Sequence, residues 1–130
     1  MLRDHAPLPT LAVRDMPASR EFYEGVLGFT PSVEGPDGSV IYTSGSGAFM
    51  VYPSSFAGSN KATAMTFQVP EGGFDAEVAA LRGKVTFQTF EMDGSTWADG
   101  EASFEGGAFN AVWFADPDGN IINIATEMPG

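Results

Sequence analysis

Leu8-Pro9-Thr10-Leu11-Ala12-Val13-Arg14-Asp15-Met16-Pro17-Ala18-Ser19-Arg20-Glu21-Phe22-Tyr23-Glu24-Gly25-Val26-Leu27-Gly28-Phe29 is the stretch to read first. Leu8 to Val13 is apolar apart from Thr10 and closes on Arg14-Asp15, the pattern of a largely buried strand. Asp15 is a helix N-cap, Pro17 suits a first helical turn, and Phe22, Tyr23, Val26 and Leu27 recur at helical spacing until Gly28 stops them. Strand followed by helix therefore predicts a helix laid over one face of a sheet. Outward from it, Phe29–Glu34, Ser39–Thr43 and Ala48–Tyr52 are strand-like. They are divided by the turn sequences Gly35-Pro36-Asp37-Gly38 and Ser44-Gly45-Ser46-Gly47, which predicts an antiparallel meander.

The same order of elements then begins again. Ala64–Val69 reads as a strand, Phe74, Val78 and Leu81 as a helix stripe ending at Arg82-Gly83, and Lys84–Phe90 as the next strand. Residues 91–107, rich in Gly and acids, are ambiguous. Ala108–Phe114 and Ile121–Ala125 flank Asp116-Pro117-Asp118-Gly119 as a hairpin. The chain thus reads as one α+β domain of two βαβββ modules, about residues 7–53 and 62–126. Each module alone is marginal in size, so the expectation is a curved mixed sheet around a cavity, with helices outside.

Composition bounds what such a domain does. Its 130 residues, 43% hydrophobic, suffice for one core without staples, and the absence of cysteine removes disulfides, thiolate metal sites and a cysteine nucleophile. No apolar run approaches the roughly 18–20 residues of a membrane span, and no apolar signal core follows Met1, so the expected location is the cytoplasm. Seventeen acids against six bases give a net charge of −11. That field repels phosphate backbones and anionic lipid, so nucleic acid and membranes are not expected partners.

The motifs bear on family. Leu11-Ala12-Val13-Arg14-Asp15, Ser19 through Phe29, and Trp113-Phe114-Ala115-Asp116-Pro117-Asp118-Gly119-Asn120-Ile121, in this order and separation, resemble the vicinal oxygen chelate superfamily. That superfamily includes glyoxalase I, bleomycin-resistance proteins, fosfomycin-resistance enzymes and extradiol dioxygenases. Tyr52 to Gly58 and Asn60 to Ala64 are similar to a subgroup of small bacterial members. The marks have structural readings of their own, since Gly28 and Gly119 suit a helix stop and a tight turn. They argue fold, and a fold that hosts many chemistries leaves function to the site.

The resemblance implies four strand positions for His, Gln or Glu metal ligands. Here they fall on Leu8, Met50, Ala64 and Asn123, of which only the last carries an oxygen or nitrogen donor. Shifting the alignment by a residue or two brings in Thr10, Thr63 or Thr66 and no ligand set. His5, the one histidine, stands alone, so neither a metal centre nor a Ser/His/Asp set can be assembled. Glu91, Asp93, Asp99, Glu101 and Glu105 cluster in sequence and read as exposed loop charges. No metal and no cofactor is expected.

What remains is an apolar, aromatic cavity. Strand alternation points Ala48, Met50 and Tyr52 inward with Leu8, Thr10 and Ala12, and points Thr66 and Gln68 inward with Asn123. Phe56, Trp97 and Phe104 are placed to close over a flat ligand by stacking. The expected site is therefore Thr10, Met50, Tyr52, Phe56, Thr66, Trp97, Phe104 and Asn123. Together with the resemblance, this implies a metal-free binder of the bleomycin-resistance type, sequestering an aromatic or amphipathic compound, neutral or cationic, with antibiotic resistance as the outcome. The superfamily commonly forms homodimers, which implies one here. Two alternatives stay open: a lyase or isomerase using Asn123, Tyr52 or a loop acid, and an accessory dimer whose cavity is filled by its own Met50, Tyr52 and Phe67.

Overall fold

The computed structural model describes residues 1–90, 92–104, 107 and 109–127. The chain divides into two compact units, one of Met1–Lys61 with Asp116–Asn120, the other of Ala62–Ala115 with the chain from Ile121 onward. Together they hold two mixed sheets and two helices, an α+β architecture.

In the first unit a short helical turn (Leu2–Asp4) precedes β1 (Thr10–Val13), α1 (Met16–Arg20), β2 (Pro31–Glu34), β3 (Val40–Ser44) and β4 (Gly47–Pro53). The sheet order is β1-β4-β3-β2, with β1 parallel to β4 and the rest antiparallel. Asp15 caps α1, its side chain accepting from the Ala18 amide at 3.0 Å. Beyond Arg20 the helix widens over Glu21–Val26, so that the Leu27 amide reaches the Phe22 carbonyl, five residues back, at 2.9 Å. It stops at Gly28, whose φ of +82° a side chain would resist. Tyr23, Tyr42 and Phe49, all fully buried, pack as rings 5.3 to 5.9 Å apart, and Phe29 closes edge-on upon Phe49 at 5.0 Å. Leu11, Val13, Val40 and Val51 complete this core.

The second unit runs β5 (Thr63–Val69), α2 (Phe74–Leu81), β6 (Ser95–Ala98), β7 (Glu101–Phe104), β8 (Phe109–Ala115) and β9 (Ile121–Thr126), in sheet order β5-β9-β8-β7-β6. Phe74, Val78 and Leu81 form the buried stripe of α2, as their spacing predicts, and α2 lies against β9.

Two features here differ from the sequence expectation. Lys84–Phe90 is not a strand of the sheet: it makes one bridge to β8, the Gln88 amide donating to the Trp113 carbonyl at 2.8 Å, and one local bridge between Arg82 and Val85. The reason is competition for an edge. β7 occupies β8 from Phe109 to Ala111, leaving only the Trp113 end open. Conversely, the ambiguous stretch supplies the hairpin β6–β7, joined by Asp99-Gly100 with φ of +53° and +80°. These two positive φ values are what the commonest two-residue hairpin turn needs, and Asp-Gly is a sequence that adopts them cheaply.

Gly100 is also sterically required, because a Cβ there would stand 2.8 Å from the Phe87 Cβ. Gly100→Ala should therefore cost about 2–3 kcal/mol in urea unfolding, backbone strain adding to the clash. Gly94→Ala, at φ +78° with open space around it, should cost about 1 kcal/mol. Equal losses at both glycines would refute the packing argument.

Candidate functional site

The connection between β8 and β9, Asp116-Pro117-Asp118-Gly119-Asn120, is the most densely bonded part of the first unit. Asp116 is 5% exposed, and one carboxylate oxygen accepts from the backbone amides of Asp118 (3.0 Å) and Asn120 (2.8 Å). The other accepts from the Tyr23 hydroxyl (2.8 Å) and the Asn120 side-chain amide (2.9 Å). That amide also donates to the Ala12 carbonyl of β1 at 2.8 Å, and Asp118 accepts from the Arg14 amide at 3.0 Å. Burial, reinforced by the negative charge of Asp116, pushes the Tyr23 phenol far above its ordinary range, so it remains a donor. The motif residues thus hold β1 and the helix in place, a structural task that uses all four main acceptor directions of Asp116 and leaves no carboxylate lone pair pre-set for chemistry.

Each sheet has one face away from its helix. In the first, the register Thr10↔Met50 and Ala12↔Tyr52 puts these four residues on one side, with Met50 and Tyr52 half-buried and Thr10 exposed. Phe56 belongs to the following loop and is 81% exposed, although the loop is braced by Arg14 donating to the Ser55 carbonyl at 3.1 Å.

In the second sheet the corresponding face is aromatic. Trp97 on β6 lies 5.9 Å from Trp113 on β8, tilted by 41°, and Phe90 meets Trp113 edge-on at 5.6 Å. Phe104 and Phe109 pair at 5.6 Å, across the register partners of β7 and β8. Ala102, Ala111 and Ala125 are the small residues between the rings, so this face packs as a layer rather than a scatter of side chains. Phe90, Met92, Asp93, Ser95 and Trp97 line a shallow groove at its margin.

The model of the Glyoxalase/Bleomycin resistance protein/Dioxygenase superfamily matches residues 4–124. The chain belongs to this superfamily. Among solved structures, a glyoxalase/bleomycin resistance protein/dioxygenase from Alicyclobacillus acidocaldarius is similar over 97% of this chain and 93% of its own, at 13% identity and a TM-score of 0.71. Fosfomycin resistance protein FosX from Listeria monocytogenes, in its hexagonal form, is similar over 95% and 93%, at 11% identity and TM-score 0.69. Lactoylglutathione lyase from Agrobacterium tumefaciens is similar over 93% and 92%, at 15% identity and TM-score 0.67. At such identities the likeness establishes fold alone. A comparison with curated proteins gives no match.

Superfamily membership raises the question of a metal, and the donor chemistry answers it. The strand register places Thr10, not Leu8, opposite Met50, and Thr66, not Ala64, opposite Asn123. Either set offers hydroxyls, a thioether, an amide or bare hydrocarbon, with no carboxylate or imidazole, which does not fit a divalent cation. Asn123 is 6% exposed, and its amide nitrogen donates to the carbonyls of Val112 (3.0 Å) and Ile124 (3.4 Å). Among the described residues, no group of three or more His, Asp or Glu stands together as a metal site.

Of the site residues expected from sequence, Trp97, Phe104, Thr66 and Asn123 lie on the second sheet, and Thr10, Met50 and Tyr52 on the first. Thr66 is exposed and has Asn123 as its register partner. Trp113, Phe90 and Phe109 lie outside the expected site, although alternation along Phe109-Asn110-Ala111-Val112-Trp113 places Phe109 and Trp113 on one side. Of the clustered acids, Glu91 and Glu105 lie outside the described residues, as does Ala108. Asp93 and Asp99 are exposed, while Glu101 is half-buried, and desolvation with the nearby Asp75 charge pushes its carboxyl up. No described helix is long and apolar enough to cross a membrane.

Proposed function

We propose that the protein binds an aromatic or amphipathic small molecule on the aromatic face of its second sheet, without a metal. The observation that carries this reading is the ring layer of Phe90, Trp97 and Trp113 beside an open groove. Both indole N–H groups are already used: Trp113 donates to the Thr63 hydroxyl and Trp97 to the Ser95 hydroxyl, each at 3.1 Å. The rings therefore have faces and edges to offer a ligand, which suits stacking on a flat compound better than hydrogen-bond readout. Catalysis finds less support, since the buried carboxylate is committed to structural hydrogen bonds and Asn123 donates to backbone. Sequestration of a toxic compound is the physiological reading that goes with a binder, and the superfamily's description includes bleomycin resistance proteins. A homodimer belongs to the same proposal, and native mass spectrometry should give twice the chain mass.

The chain has two tryptophans and both lie on this face, so intrinsic fluorescence reports on it directly. Titration with 2-naphthol should give saturable quenching. Trp97→Ala should weaken binding about tenfold or more, the worth of one good stacking contact, while Trp97→Phe retains most of it. Linear, unsaturable quenching into the millimolar range, the same in both proteins, would sink the proposal.

A further inference from the structure

We propose that the groove between Phe90 and Trp97 selects a quaternary ammonium group carried on an aromatic compound, which deepens the binding reading above and rests on it. Three observations lead there. From Val85 to Gly130 the chain carries eight carboxylate side chains and no Lys, Arg or His. Every ring of the aromatic layer comes from this segment, and the second unit, which holds the layer, carries nine acids against Arg82 and Lys84, a net negative charge that favours a cation.

The second observation is that this field is not neutralised locally. Asp93, on the groove wall, is exposed, and no cationic side chain among the described residues lies within ion-pair distance of it. Arg82, which opens the same unit's acidic stretch, is already placed. Its guanidinium stands 5.4 Å over the Phe87 ring, donates to the Asp99 carbonyl at 2.8 Å, and lies 3.9 Å from Glu101.

The third concerns hydrogen-bond capacity and separates one class of cation from another. The Ser95 hydroxyl accepts from Trp97 and donates to the Met92 carbonyl at 2.7 Å, and the Ser95 amide takes the same carbonyl at 3.4 Å. Of the groove's side chains, ring faces, the Met92 thioether and the Asp93 carboxylate are left. A primary ammonium gives up three water hydrogen bonds on entering and would recover about one from these side chains, at Asp93. A quaternary ammonium has no N–H to satisfy and is attracted by aromatic faces and by the charge alone.

The test is a fluorescence titration of the intact protein with benzyltrimethylammonium, benzylammonium and benzyl alcohol, with 2-naphthol as the neutral aromatic reference. The quaternary probe should bind about fivefold or more tighter than either of the other benzyl compounds. Asp93→Asn should weaken it about threefold, clearly more than it weakens 2-naphthol, and the quaternary affinity should fall with added salt. Benzyl alcohol binding as tightly as the quaternary probe, with 2-naphthol still bound, would overturn the cation inference and leave the aromatic site standing. Benzylammonium binding tightest would overturn it by revealing acceptors for N–H. If 2-naphthol fails to bind and no benzyl probe saturates, both readings fall. A saturable quaternary response without 2-naphthol binding would support the cation and overturn general aromatic binding.

Discussion

Asp116→Ala should cost about 3–5 kcal/mol of unfolding free energy, read as a shift of the urea midpoint without a change in slope. One deletion strands four donors at once: the Tyr23 hydroxyl, the Asn120 amide and the backbone N–H groups of Asp118 and Asn120. Tyr23 is fully buried and cannot turn to solvent, so its hydroxyl bears the full desolvation penalty. Asp116→Asn should cost less, about 1–2 kcal/mol, because an amide oxygen can still accept from the two backbone groups. Its nitrogen would then meet the donors Tyr23 and Asn120. Tyr23→Phe removes one donor together with its bond and should cost about 1 kcal/mol. An Asp116→Ala protein within 1 kcal/mol of the parent would mean that the motif is not what holds the loop.

This network explains why the family motif could be recognised in sequence without disclosing an activity. Asp116, Gly119 and Asn120 are spent on turn geometry and on anchoring β1 and the helix, tasks set by the fold rather than by an activity. The strand and helix around Asp15 and Gly28 were legible for a related reason, since cap, periodicity and stop act within a few residues of one another. Misreadings came where distant strands compete. Lys84–Phe90 has the pattern of a strand, but β7 takes the edge of β8 it would need. The β6–β7 hairpin carries a local signal of its own: Asp99-Gly100, flanked by Ser95 and Trp97 on one side and Ala102 and Phe104 on the other. The two-residue offset at the family's metal positions, Leu8 against Thr10 and Ala64 against Thr66, has the same origin. Pairing sets which residue faces Met50 or Asn123, and β5 contains an irregularity between Thr63 and Met65 that counting along the chain cannot reveal.

Trp113→Ala should be the second most damaging change, about 3–5 kcal/mol, and it separates the two duties of the aromatic face. Trp113 is 8% exposed, supports both Phe90 and Trp97, and is surrounded by Ala102, Ala111 and Ala125, which are too small to fill the space it would leave. Its loss also releases the hydrogen bond to Thr63, the first residue of β5. Trp113→Phe keeps much of the ring area and loses that bond, so about 1–2 kcal/mol is expected. Trp97→Ala, at a half-buried strand near the sheet edge, should cost about 1–2 kcal/mol. The binding consequences run in the opposite order of directness: Trp97 is expected to touch the ligand, whereas Trp113 acts by holding Trp97 and Phe90 apart at their present tilt. Trp113→Phe should therefore lower affinity for 2-naphthol by about threefold while Trp97→Ala lowers it tenfold or more, despite similar stability losses. Because a ligand that binds only the folded state raises its stability by RT ln(1 + [L]/Kd), the same ordering should appear as smaller ligand-induced shifts in thermal midpoint. Parallel loss of stability and affinity across all three variants, with no separation between Trp97 and Trp113, would mean that the rings form a core and nothing more.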